Sequence, residues 1–336
     1  MDCWIRSQWR GYLRLDRVAA ISHRCSVKTS TLCSVLAMLA VVGTTFAQSP
    51  QIEQSRQFSN GVPSLPPEET SPNNTMPVFA AQSPGDEDLG QQVILKSRNV
   101  YQPFSIYLGS DAVYTSNVGL AENFEQEDWF WRTTVGAIYA PRFGNYLLGN
   151  IHVGQDVFRY DKFDELNFES LTIGAGLTYN LWFFYGINAG LEFNYDRLTS
   201  DGYGDEIFSD ERVTLSLSRN FILSRAHYFY VVGAAQVGWS DPEEAARDEF
   251  TLLTGYHVRL ARNLELDLFY RLGFFHYTEL NREDVNQAVQ LAARYNLTKW
   301  LSANATVGGT FNDSNRRGFD YQALNTSVGF FVSWKF

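Results

Sequence analysis

Three features are scarce in this chain, and each scarcity excludes a class of protein. All three cysteines, Cys3, Cys25 and Cys33, lie in the first 47 residues, so the remainder offers no disulfide and no thiol chemistry. After the apolar run 32–43, no segment approaches the about 18 consecutive apolar residues that indicate a spanning helix. Only three of the ten prolines follow residue 102, which leaves the C-terminal part free to form long strands.

Positive charge is also scarce outside the first 31 residues. The whole chain has a formal net charge of -10. The leader contains six basic and two acidic side chains, so its removal would change the net charge to -14. A strongly acidic, cysteine-free chain is poorly suited to nucleic acid, and we expect no nucleic-acid partner.

The N-terminal residues have the pattern of an export signal. Basic residues are followed by the apolar run Leu32–Gly43 and then by Thr45, Phe46 and Ala47. This order predicts a signal peptide, 1–47, cleaved after Ala47.

A second composition begins at residue 48. Seven of the ten prolines lie between Pro50 and Pro84, among Gln, Ser, Asn and Glu residues. Such a segment cannot bury enough apolar surface to fold alone. We therefore predict a disordered periplasmic linker over 48–102. The alternatives are a plug that enters a barrel and a partner-binding segment.

From residue 103 onward, apolar side chains alternate with polar ones at a period of two, which indicates strands. Twelve strands are predicted, each long enough to cross a bilayer when tilted. They are 103–115, 129–139, 146–158, 168–179, 184–196, 211–218, 228–239, 249–260, 263–277, 284–296, 300–311 and 321–336. The predicted fold class is all-β, a closed antiparallel transmembrane β-barrel of about 12 strands over 103–336.

The connections between these strands are predicted to alternate in length and charge. Six long ones, such as 116–128 and 196–212, hold 23 acidic and 8 basic residues, whereas the five short ones hold five basic residues and no acid. Short periplasmic turns and longer outer loops are typical of outer-membrane barrels. The pattern predicts an acidic outer surface.

The final strand has an apolar face that continues to the last residue. Phe330, Val332, Trp334 and Phe336 share one parity. This ending resembles the C-terminal signal that the barrel insertion machinery of the outer membrane recognises, and we expect these four residues to form it.

Taken together, residues 103–336 resemble the twelve-stranded outer-membrane barrels, a group that includes small-solute channels and a phospholipase, and the loosely defined β-barrel porins. The resemblance implies a bacterial outer-membrane location, with outer-membrane lipid and lipopolysaccharide as surroundings. It depends on architecture and on the terminal strand, because the sequence shows no motif specific to one function.

Charged and polar residues on the inward parity are the candidates for lining a lumen. They are Asp111, Arg132, His152, Asp156, Glu192, Glu265, Asp267, Arg271 and Arg294, with Arg259 as a further member. Charges of opposite sign on neighbouring strands could either line a narrow pore or seal it. No catalytic, cofactor-binding or metal site is predicted.

Three functions follow from this pattern. The first is a narrow, porin-like channel for small solutes. The second is a non-conducting surface or scaffolding barrel with acidic extracellular loops. The third is an outer-membrane hydrolase using His276, which would need a serine beside it. Because the expected neighbours Phe250, Leu252, Val285 and Gln287 include no serine, we expect a protein that is not an enzyme.

Overall fold

Twelve antiparallel strands form a closed β-barrel in the structure, a computed structural model that describes residues 49–59, 101–224 and 226–336. The predicted signal peptide 1–47 and most of the predicted linker lie outside the described residues. The strands are β1 (Phe104–Thr115), β2 (Asp128–Tyr139), β3 (Leu147–Tyr160), β4 (Phe168–Leu181), β5 (Ile187–Ser200), β6 (Glu206–Ser224), β7 (His227–Asp241), β8 (Arg247–Ala261), β9 (Leu264–Tyr277), β10 (Arg282–Asn296), β11 (Leu301–Ser314) and β12 (Tyr321–Lys335). The predicted fold class is confirmed.

Every strand pairs with its neighbours in the chain, and β1 closes the barrel against β12. The closing register places Ile106 opposite Trp334 and Ala112 opposite Val328. Phe104 and Phe336 exchange two backbone hydrogen bonds at 3.1 and 2.9 Å, and their rings stack at 5.9 Å. Closure leaves no unpaired strand edge, as a sheet within lipid requires.

The outer surface of the barrel is apolar over most of its height. Outward-facing side chains such as Leu108, Leu191, Leu215 and Val328 are about half exposed, far more apolar surface than a soluble monomer presents. Exposed tryptophans mark both ends of this surface: Trp129, Trp131 and Trp239 at one end and Trp182, Trp300 and Trp334 at the other. Indole rings at both edges are typical of a barrel that spans a membrane. No helix among the described residues is long and apolar enough to span a membrane.

The predicted difference between long and short connections is smaller than expected, because the strands continue into segments predicted as loops. Residues 201–205 join β5 to β6, where the sequence predicted a loop over 196–212, and residues 242–246 join β7 to β8. Residues 116–127 form the longest connection. Several acids assigned to outer loops, among them Asp210 and Glu249, are therefore on strands and buried.

A ten-residue helix, α1 (Pro50–Ser59), lies inside the barrel. These residues were predicted to belong to the disordered linker; instead they have the plug arrangement that was the alternative. Pro50 occupies the first helical position, and the carbonyl of Ser49 accepts hydrogen bonds from the N–H groups of Ile52 and Glu53 at 3.1 and 3.3 Å. The segment is too polar to fold alone, but the barrel supplies the partners that bury it.

Deleting Phe336 should lower the amount of protein assembled in the outer membrane far more than replacing Phe331 with Ala. Phe336 faces outward and completes the backbone pairing with Phe104, whereas Phe331 stacks on Tyr107 from the inward side at 5.8 Å. Membrane fractionation followed by heat-modifiability on gels would measure assembly. Equal assembled levels for the two variants would contradict a role for Phe336 as the terminal signal.

Candidate functional site

The lumen of the barrel has two distinct halves. We call the end that holds Phe104 and Phe336 the turn end, and the opposite end, which holds residues 116–127, the loop end. Helix α1 occupies the half next to the loop end: the Gln54 amide donates to the carbonyl of Val118 at 3.1 Å, and the hydroxyls of Ser55 and Ser170 lie 3.0 Å apart. The loop half is therefore filled by the protein's own chain.

Apolar side chains on the inward parity form a seat for α1. Ile52 is buried in a cluster with Val113, Val118, Phe130, Phe158, Tyr160, Phe168, Leu198 and Phe208. The Phe58 ring meets Phe130 edge-on, with ring centroids 5.8 Å apart. Burying a side chain of this size stabilises by about 1.5–3 kcal/mol, so the two apolar anchors contribute substantially to seating the helix.

Glu53 is the central polar anchor of α1. Its carboxylate accepts from the Arg247 guanidinium at 2.7 Å and from the Tyr277 hydroxyl at 3.3 Å, and Arg56 lies 3.4 Å away. Burial raises the pKa of the Glu53 carboxyl, but the charges of Arg247 and Arg56 outweigh this effect and lower its pKa to about 2. Glu53 therefore stays ionised, and bound to Arg247, in mildly acidic surroundings.

Arg56 is the second polar anchor. Its guanidinium lies 3.4 Å from the Asp210 carboxylate and donates to the carbonyl of Ala245 at 3.0 Å. The same group lies over the Phe208 ring, 5.0 Å from its centroid. The helix thus carries one acid and one base that each meet an opposite charge on the barrel wall.

The wall around α1 continues this network. Arg247 also binds Glu249 at 2.6 Å, and Arg212 lies between Asp210, at 3.3 Å, and Asp196. Arg282 forms a further buried pair with Asp284, beside Asn286 and Asn312. Buried charges are stable only when they are paired and hydrogen-bonded, and these pairs meet that condition. From the sequence, Asp210, Arg247 and Arg282 were predicted to lie in loops, and Asp196, Arg212, Glu249 and Asp284 at or near the ends of predicted strands, where those strands meet the long loops.

Three of the predicted lumen-lining residues lie close to α1 or to one another. Asp111 and Arg132 form an ion pair at 2.9 Å, and the Arg132 guanidinium lies over the Phe58 ring at 4.8 Å. On the adjacent strand β3, Phe158 is opposite Arg132 and Asp156 is opposite Thr134. Asp156 is therefore two positions from the residue that faces Arg132. The predicted strip of charge therefore reaches the underside of the helix.

Other predicted residues line the turn half. Glu192 accepts from the Asn194 amide at 3.1 Å, and His152 lies 3.4 Å from the Asn150 amide. Asp267 meets His257 at 2.7 Å, and Glu265 meets Arg259 at 3.2 Å and stands opposite Arg294. Glu265 therefore faces an arginine on each neighbouring strand, whereas Glu192 and His152 contact neutral amides.

Arg271 differs from these residues. Its guanidinium donates to the Asn286 side-chain oxygen at 3.0 Å, and its Nε atom is buried without a hydrogen-bond partner. Within the described residues it forms no ion pair. From the sequence, Arg271 could be predicted to face the lumen. The sequence could not distinguish it from the lumen-facing charges that form ion pairs in the structure.

His276 lies outside the barrel near the loop end. The residues opposite it on the two neighbouring strands are Asp248 and Glu283, and not Phe250, Leu252, Val285 or Gln287 as the sequence predicted. The Nδ1 atom of His276 is 3.8 Å from the Glu283 carboxylate. An outward groove of about 700 Å³ runs past these side chains. No serine stands opposite His276 in the described strands, so the serine–histidine pair that the hydrolase hypothesis called for is not formed there.

Comparison with solved structures finds mainly outer-membrane porins and channels. An outer-membrane channel from Pseudomonas putida F1 is similar over 70% of this chain and 97% of its own, with 10% identity and a TM-score of 0.51. The KdgM porin in complex with disordered oligogalacturonate is similar over 68% of this chain and 99% of its own, with 12% identity and a TM-score of 0.40. An anion-selective porin from Comamonas acidovorans is similar over 69% and 98%, with 9% identity and a TM-score of 0.37.

No protein-family model matches the sequence, and a search of the curated proteins found no relative. At 10% identity, the likeness to the Pseudomonas putida channel shows the fold alone. Together with the apolar outer surface and the two tryptophan belts, it shows a closed antiparallel β-barrel of the kind that spans a membrane.

Proposed function

We propose that the protein is a narrow outer-membrane channel for small solutes, without enzymatic activity, whose own N-terminal helix holds it closed. The observation that supports this function is the position of α1. A helix held by apolar contacts and by two charge contacts fills the loop half, while charged and polar side chains line the turn half. A lumen that is plugged by a separate segment can open by losing that segment.

The number of strands supports the same proposal. Eight-stranded barrels are filled by their own side chains, whereas barrels of sixteen strands enclose a water-filled channel. Twelve strands lie between these cases. Here the loop half needs an additional helix to fill it, which indicates that wall side chains alone do not.

The second candidate, a non-conducting surface or scaffolding barrel, is favoured by a different observation. The charges around α1 are paired and buried, as expected of a seal that never opens. In that case the protein would function by binding a partner at the cell surface, through acidic residues in the connections at the loop end such as Glu125, Glu243 and Glu244. This candidate predicts no ionic current under any condition.

Planar-bilayer recording of the protein, produced without residues 1–47, would test the two candidates. We expect a low mean conductance with occasional steps to one larger level, since α1 must leave its seat as a unit. The matched control is the same preparation before folding into detergent. A preparation of verified folded barrels that shows no step at any applied voltage would contradict channel function.

Membrane partners are a part of this proposal. We orient the barrel as outer-membrane barrels with short periplasmic turns are oriented. The turn end then faces the periplasm, and the loop end faces lipopolysaccharide. The insertion machinery would bind the strip Phe330, Val332, Trp334 and Phe336, a proposal supported by the outward exposure of its aromatic side chains. Helix α1 would then close the barrel from its outer half.

A further inference from the structure

A cavity of about 90 Å³ lies in the barrel directly below the C-terminal end of α1. Its upper boundary is formed by Gln57 and Phe58 of the helix. The remaining boundary comes from Val113 of β1 and from residues of β9, β10, β11 and β12. Its volume is several times the about 10–15 Å³ that one water molecule needs, so the cavity can hold a small solute group.

The cavity wall combines apolar side chains, such as Val113 and Phe269, with uncharged polar ones. The polar side chains are Gln290, Thr306, Thr310, Asn325 and Ser327. Hydroxyl and amide groups can all donate hydrogen bonds to a ligand oxygen. No carboxylate lines the cavity in the described residues, so the wall contains nothing that would repel an anion.

Arg271 is the one charged residue in the lining. Its Nη2 atom donates to the neutral Asn286 side chain, and its Nε atom, like those of Arg132 and Arg212, has no hydrogen-bond partner among the described residues. By contrast, the inward-facing Arg132, Arg212 and Arg247 each form an ion pair with a carboxylate. A largely buried cation that no carboxylate contacts directly is costly, and the cavity is the place where an anion could pair with it.

We propose that this cavity binds a small oxyanion, the carboxylate or phosphate group of a solute, with Arg271 as its counter-charge. A guanidinium group matches both anions because its N–H groups can donate in parallel to two oxygens of one group. The surrounding hydroxyl and amide side chains supply further donors. The inference deepens the proposed channel function and rests on it, because it names the class of solute that the lumen would accept.

The position of α1 gives the proposed site a specific consequence. Gln57 and Phe58 cover the cavity, and Gln57 also contacts the Tyr321 hydroxyl at 3.3 Å. A bound anion therefore lies behind the seated helix and reaches Arg271 from the turn end. Binding does not require the barrel to conduct.

Calorimetric titration of the full mature protein in detergent would test the site. The probes are sodium acetate and sodium phosphate, each at a constant ionic strength set with sodium chloride. We expect one anion per barrel for at least one probe. Arg271→Gln should weaken that binding at least about tenfold, since a charge-assisted hydrogen bond is lost.

Arg294→Gln is the matched control, because Arg294 is another inward-facing arginine that does not line the cavity; it should leave the affinity within about twofold. If Arg271→Gln fails to fold, Thr310→Val removes a lining hydroxyl instead and should still weaken binding. Absence of one-to-one binding for both probes, or an equal loss in the Arg294→Gln variant, would overturn the site. Binding without current would contradict the channel alone, and current without binding would contradict the anion site alone.

Discussion

Removing helix α1 should convert a mostly closed barrel into one that conducts continuously. The variant lacks residues 48–59 and keeps the remainder of the mature chain. Its mean conductance should rise at least about tenfold relative to the unaltered protein. A barrel of twelve strands is too wide for its wall side chains alone to fill the lumen once α1 is removed. Planar-bilayer recording at fixed voltage, with the number of inserted barrels counted from discrete steps, would measure the change.

A matched control keeps the chain length constant. Replacing residues 50–59 with an equal number of glycines and serines removes the apolar and charged anchors, namely Ile52, Glu53, Arg56 and Phe58, without shortening the segment. This variant should conduct like the deletion. If both variants remain as closed as the unaltered protein, the wall network seals the lumen without α1, and the non-conducting barrel becomes the better explanation.

Replacing Arg247 with Met should release α1 from its seat. The substitution keeps an unbranched apolar stem but leaves the carboxylates of Glu53 and Glu249 buried without their guanidinium partner. Breaking a buried ion pair in this way costs about 3–5 kcal/mol, which shifts the seating equilibrium by at least about two orders of magnitude. The released helix should expose side chains that are buried in the unaltered protein.

Thiol labelling can measure the release, because residues 48–336 contain no cysteine. Ser55→Cys introduces a single thiol at a buried position of similar size. A maleimide reagent should label it slowly in the otherwise unaltered protein and quickly in the Arg247→Met background. Adding Glu53→Gln should restore part of the protection, since it removes one of the uncompensated charges.

A surface arginine provides the negative control for this experiment. Arg197 forms an ion pair with Glu206 at 2.7 Å, but both side chains are well exposed. Exposed pairs of this kind contribute about 0–1 kcal/mol, so Arg197→Met should not change the labelling rate at Ser55→Cys. Similar labelling rates in the Arg197→Met and Arg247→Met backgrounds would show that the buried pair does not hold α1.

The barrel itself could be predicted from the sequence because its signal is local. Period-two alternation along each strand depends only on adjacent residues, and β9 shows it from Leu264 to Phe274. The ends of the strands could be predicted less accurately than their middles. Near the loop end, charged residues occupy the inward positions of the strands, and a run of charged residues resembles a loop. Asp210 and Arg212 point inward while Glu211 points outward, a pattern that composition alone cannot separate from a loop.

Helix α1 was missed for a different physical reason. Its sequence, PQIEQSRQFS, is as polar as the Pro-, Ser- and Gln-rich sequence that follows it, and its stabilising partners lie far away in the chain. One signal was present in the strands: Phe130, Phe158, Phe168 and Phe208 are apolar on the parity that is otherwise polar. Large apolar residues facing a water-filled lumen need cover, and a plug is one way to provide it.

The contacts of α1 also determine when in folding the helix can dock. Glu53 meets Tyr277 across a sequence separation of 224 residues, and Arg56 meets Asp210 across 154. The seat draws residues from β1 through β9, so a partly formed sheet cannot complete it. Contacts of such long range are intrinsically slow to form. Docking of the helix is therefore a late step that follows closure of the wall, and a docked helix marks a molecule whose folding has finished.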